Sequence, residues 1–129
     1  MGWSGRHPVE YTGTTAFFIA SVLIMGLLTT QLHAFDPAHL ERLTKTRNCA
    51  KCDLSGANLT GQDFSWTDLS GANLNGADLS KTNLYDANLR GANLTGAKIT
   101  DTNFVGSDLS DAVWVDGKKC KSGSTGNCK

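Results

Sequence analysis

Between Cys52 and Trp114 the chain repeats itself every five residues. Neither a helix, with its period of 3.6, nor a strand, with its period of 2, has that spacing. Counting in fives from Leu54 gives Leu54, Leu59, Phe64, Leu69, Leu74, Leu79, Leu84, Leu89, Leu94, Ile99, Phe104, Leu109 and Trp114, thirteen large apolar residues without a gap. Two residues before each stands a small or compact one: Cys52, Ala57, Gln62, Thr67, Ala72, Ala77, Thr82, Ala87, Ala92, Ala97, Thr102, Ser107, Ala112. The residue immediately before the centre is Asp or Asn in eleven of the thirteen units, Lys98 and Val113 being the exceptions. Glycine gathers two residues after the centre, at Gly56, Gly61, Gly71, Gly76, Gly91, Gly96 and Gly106.

This pattern makes sense if five residues form one side of a square coil. The large centre and the compact residue before it point inward, the Asp or Asn makes a local polar contact or meets solvent, and glycine helps the chain turn the corner. Four sides make a coil of twenty residues, so residues twenty apart should match, and they do. Phe64, Leu84 and Phe104 follow Gln62, Thr82 and Thr102, while Leu59, Leu79 and Ile99 follow Ala57, Ala77 and Ala97. A period of five alone does not require that second correlation.

The run CDLSGANLTGQDFSWTDLSGANLNGADL resembles the pentapeptide-repeat family, whose consensus is A(D/N)LxX. The resemblance implies an all-β fold, a right-handed parallel quadrilateral β-helix. Thirteen sides make about three coils, a body roughly 15 Å long at about 4.8 Å between stacked strands. Each coil depends on its neighbours, and open ends would expose both core and unpaired edges, so terminal caps are required. Asp36-Pro37-Ala38-His39-Leu40-Glu41-Arg42-Leu43 reads as a short N-terminal cap helix, with Asp36 as N-cap, Pro37 in the first turn and Leu40 with Leu43 as the apolar face. The expected organisation is a leader at 1–34, cap helix and linker at 35–48, repeats at 49–115 and a cysteine-closed tail at 116–129.

From Tyr11 to Phe35 the leader holds no Asp, Glu, Lys or Arg, and Ala16 to Leu28 is densely apolar. It reads as an N-terminal hydrophobic signal or transmembrane helix. A signal would be cleaved after Ala34, whereas the uncharged run at 11–35 is also long enough to persist as a membrane helix. Either way the repeats lie across a membrane, in a periplasm or a thylakoid lumen. Cleavage is the reading adopted.

Cys49, Cys52, Cys120 and Cys128 flank the repeats in two close pairs, which in an exported chain points to disulfides. Cys120 and Cys128 are expected to bridge. Cys49 and Cys52 fit the repeat register as small core residues, free or locally bridged. A redox CxxC lacks its usual strand–helix context, and covalent haem needs a histidine where Asp53 stands. A four-cysteine zinc site would need the tail to fold back across the stack. No metal and no cofactor is therefore expected.

Nothing in the sequence assembles a catalytic set. Asp53, Asp63, Asp68, Asp78 and Asp108 all hold the same repeat position, and His39 sits on the cap helix as a lone exposed histidine. Twelve basic residues balance twelve acidic ones, so neither the basic excess of a nucleic-acid binder nor the acidic excess of a DNA mimic is present. Bacterial relatives that resemble DNA and protect topoisomerases are acidic and cytosolic, and that activity is not carried over. The expectation is a non-enzymatic interaction module with an unknown protein partner and no nucleic acid. The alternative is an accessory subunit of a membrane complex, held by an uncleaved helix. Trp66, Tyr85, Arg90 and Val105 break the repeat outwardly and form the candidate interaction surface.

Overall fold

The computed structural model describes residues 35–129, so the leader reading lies outside the described residues. No helix among the described residues is long and apolar enough to cross a membrane.

Each side of the coil is built locally before it is built by stacking. The Oδ1 atom of Asp53 accepts the N–H of Ser55 at 3.1 Å, and Asn58, Asp63, Asp68, Asn73 and Asp78 do the same for the residue two ahead. Such an Asx turn fixes the chain just past the centre, which is why this position is polar and short. The next residue takes a left-handed conformation, as in Gly61 at φ +69°, and the turn closes with Ala57 N–H donating to Leu54 C=O at 3.1 Å. The corner also admits side chains: Lys51, Trp66, Lys81, Asp86, Asp101 and Asp111 all carry positive φ. Where glycine is replaced, the left-handed strain is accepted.

The sides stack in parallel at a spacing of twenty residues. Wall A runs through Asp53, Asn73, Asn93 and Val113, and wall B through Asn58, Asp78 and Lys98. Wall C runs through Asp63, Asn83 and Asn103, and wall D through Asn48, Asp68, Asn88 and Asp108. The expected strands are thus reduced to single bridged residues, because only one residue per side lies between two turns. Coil-to-coil bonds are short nonetheless: Leu54 N–H donates to Asn73 C=O and Asn73 N–H to Cys52 C=O, both at 2.8 Å.

The centres fill the interior. Leu54, Leu69, Leu74, Leu79, Leu84, Leu89, Leu94 and Leu109 are fully buried, and Leu59, Phe64 and Phe104 nearly so. Ile99 and Trp114, both in the last coil, depart from expectation in being only half-buried. Gln62 departs further: it is exposed, since its amide would find no partner in an apolar interior. Thr82 and Ser107, at the equivalent position, are buried because their hydroxyls donate to Leu59 C=O at 2.8 Å and Leu84 C=O at 2.9 Å.

Helix α1, Pro37–Thr46, covers the first coil. Asp36 caps it by accepting Ala38 N–H, Leu43 is fully buried, and Arg47 ends it in a left-handed conformation. His39 is not the free helix histidine expected from the sequence. Its Nδ1 accepts Asp53 N–H at 2.9 Å, while Asp36 N–H donates to Asp53 C=O at 3.2 Å, so α1 closes the lower edge of wall A. Beneath it, Cys49 and Cys52 form a buried disulfide. At the other end the tail returns antiparallel, Lys119 against Val113 and Thr125 against Asp108, and a Cys120–Cys128 disulfide ties it.

Candidate interaction surface

The interior being filled, any function lies on the outside. Trp66, 70% exposed, occupies a left-handed corner of wall C at φ +60°. One coil on, Tyr85 is 39% exposed and meets the Trp66 ring edge-on at 5.8 Å between centroids. Tyr85 C=O also accepts the Trp66 N–H at 2.9 Å, so backbone and rings register together. Val105, 61% exposed, stands twenty residues beyond Tyr85, and its C=O accepts Asp86 N–H from the coil below at 2.9 Å. The three make an apolar strip along one corner, held together by backbone bonds between successive coils. Below it, the Arg47 guanidinium donates to Ser65 C=O at 2.8 Å.

Arg90 does not join this strip. It projects from wall D, the next side round, and lies 3.8 Å from the Asp108 carboxylate of the following coil. Three of the four residues singled out are therefore brought together, and the fourth serves an ion pair.

The aspartates are consumed by the turns. Ser55 holds the Asp53 carboxyl below the usual carboxylate range, first through its hydroxyl and then through its N–H. The same serine contacts lower Asp63 and Asp78, and the Ser110 hydroxyl lowers Asp108. Groups held ionised in this way are poor proton donors at neutral pH. Where Asn follows Asp in the next coil, its Nδ2 donates back: Asn73 to Asp53, Asn83 to Asp63 and Asn88 to Asp68, at 3.2–3.3 Å. The four thiols are spent in two disulfides, and among the described residues no cluster of metal-ligating side chains occurs. Sequence reasoning overlooked a shallow depression at the tail, about 390 Å³, lined by Trp114, Asp116, Lys118, Lys119, Cys128 and Lys129.

The model of the pentapeptide repeats, in eight copies, matches residues 48–86 and 72–111, the stretch that forms the coils. The chain belongs to the pentapeptide-repeat family. Pentapeptide-repeat proteins have a β-helix fold and serve in general as non-enzymatic protein-interaction modules. Among solved structures it is similar to HetL, a pentapeptide repeat protein involved in heterocyst differentiation regulation from the cyanobacterium Nostoc. That match has 36% identity and a TM-score of 0.41 over 56% of this chain, and it spans only 38% of HetL. A pentapeptide repeat protein of the Arabidopsis thaliana thylakoid lumen is 31% identical, with 63% of this chain and 69% of that one covered and a TM-score of 0.27. Rfr23 of the cyanobacterium Cyanothece is 27% identical, covering 58% and 82%, with a TM-score of 0.28. No curated protein matches the chain.

Proposed function

We propose that this pentapeptide-repeat protein is an exported, non-enzymatic interaction module that binds a protein partner through the corner of wall C. The observation that carries the proposal is the apolar strip of Trp66, Tyr85 and Val105, with its edge-on aromatic pair. Exposed, rigidly held aromatics are the groups that dominate binding energy at protein interfaces. Trp66 supports the reading in a second way, because it occupies a backbone conformation where glycine would be more comfortable. Export is supported by two disulfides, which persist in oxidising compartments, and by the uncharged apolar run at 11–35. The balanced charge speaks against nucleic-acid mimicry.

The test is affinity capture from membranes with Trp66→Gly as the comparison. Glycine relieves the left-handed corner, so this variant should melt no lower than the parent. It should recover its partner at least about tenfold less well. Equal recovery by both would remove the strip from the interface. Intact mass of the native chain then separates the two settings. A chain beginning at Phe35 fits a soluble periplasmic or lumenal module, whereas the full-length mass in carbonate-washed membranes fits an accessory subunit held by its leader.

A further inference from the structure

The C-terminal cap leaves part of its end of the coil open. At the C-terminal end the tail closes walls D and A: Leu109 N–H donates to Ser124 C=O at 2.8 Å and Gly126 N–H to Ser107 C=O at 2.9 Å. Trp114 N–H likewise donates to Lys118 C=O at 2.7 Å and Cys120 N–H to Ala112 C=O at 2.8 Å. On walls B and C, the groups that face the next coil elsewhere have no next coil. Leu79 and Lys81 donate to Lys98 and Thr100, and Leu84 and Asp86 to Asn103 and Val105, whereas the N–H groups of Ile99, Asp101, Phe104 and Gly106 have no acceptor among the described residues. The carbonyls of Ala97 and Thr102 likewise lack the donors that Ala77 and Thr82 find in Lys98 and Asn103. The half-buried Ile99 side chain lies on the same edge, and exposed Val105 flanks it.

We infer that the open edge of wall B, residues 97–103, takes an extended polypeptide segment of the partner as an added strand, since beyond it Gly126 of the tail already lies against the backbone of Phe104 to Gly106. The inference rests on the interaction-module reading and supplies the chemistry of a second contact. The tail shows that such an edge accepts added backbone, because it already pairs with the other half of the same end through the equivalent groups. Main-chain pairing at an exposed edge is a recurring mode of peptide recognition, with alternate side chains supplying selectivity. The segment that fits carries a large apolar side chain to cover the half-buried Ile99, while Phe104 is already buried against the Trp114 ring. A second copy fits poorly. Continuing the stack would bring the tail of one copy against helix α1 of the next, since each end of the coil carries its cap. Two five-residue edges, each roughly 17 Å by 5 Å, also fall far short of the ~800 Å² per partner of a stable dimer.

A peptide reproducing residues 77–85 is a direct probe, because that segment lies on walls B and C one coil below. Added to the full chain, it should slow amide exchange at Ile99 and Asp101 by about tenfold at ten times its Kd. A scrambled peptide of the same composition should not. Ile99→Pro removes a donor the fold does not use, so it should melt cooperatively yet lose the saturable effect, while Ile99→Val keeps it. Unchanged exchange in the parent, or an equal effect on Ile99→Pro, overturns the inference without reference to whether any variant folds. Protection that appears without peptide and rises with protein concentration replaces the partner segment with a second copy. If Trp66→Gly abolishes partner capture while the peptide does nothing, the strip stands and strand addition falls.

Discussion

At the scale of single residues, the five positions of a unit have separable jobs, and the middle coil shows them most cleanly. Leu79 is fully buried between the coils that carry Leu59 and Ile99, and its N–H donates to Lys98 C=O at 2.8 Å. Ser80, its neighbour, is half-buried and points its N–H at Asp78. Leu79→Lys would bury an unpaired charge, a cost of several kcal/mol that should unfold the domain. Ser80→Lys loses at most a hydroxyl contact to Asp78 and should cost about 1 kcal/mol or less. Thermal melts of the two variants decide it, and equal melting temperatures would refute the inward assignment of Leu79. The period of five made the inward and outward positions legible. It could not show that Gln62 turns outward while Thr82 turns inward, because that depends on whether a hydroxyl can reach a carbonyl in the coil before. Nor could it show that the Asp and Asn side chains are turn-closing acceptors, although their polarity was plain.

Among the elements, the caps differ in how much the sequence disclosed. Helix α1 was readable from Asp36 and Pro37, since a cap and a first-turn proline are local signals. The bond from Asp53 N–H to His39 was not, because it exists only where the first coil presents an edge to whatever precedes it. The pairing of Cys49 with Cys52 was left open for a related reason: the register placed both thiols inside without saying whether they meet. In the tail, the Cys120–Cys128 disulfide closes a short loop that seals walls D and A. Loop-closure entropy puts its contribution near 2.5 kcal/mol. Replacing both cysteines with serine should lower the melting temperature. Leu109 and Trp114 should then be the first core amides to exchange, as their acceptors lie on the released tail. Unchanged exchange at those two amides would mean that the tail stays seated without its bridge.

For the whole molecule, the ladder of carboxylates sets a response to acid. Asp53, Asp63, Asp78 and Asp108 are held below the usual carboxylate range, first of all by serine hydroxyls. Folding therefore favours their ionised forms. The stability this contributes is complete above the carboxylate pKa of the unfolded chain, near ~4, and is lost as pH falls from there toward the lower folded values. Urea midpoints followed from neutral pH to pH 2 should fall in that window. They should fall less in a variant with all four changed to Asn, which keeps the accepting Oδ1 that Asn58 and Asn73 already use. Equal slopes would place the acid response elsewhere. The number of coils was legible from the count of units, but the partial coverage of the C-terminal end was not, since it depends on how far round the last unit stops. That stopping point carries a further meaning. Because partners lie twenty residues apart, a duplication of twenty residues would lengthen the rod and leave both caps facing the same way. Loss of a single five-residue unit would swing the far cap through a quarter turn, exposing a different pair of walls with scarcely any change in composition. Unit number in such a rod is therefore an angular setting as well as a length, and descendants that differ by one unit would present their free edges in different directions.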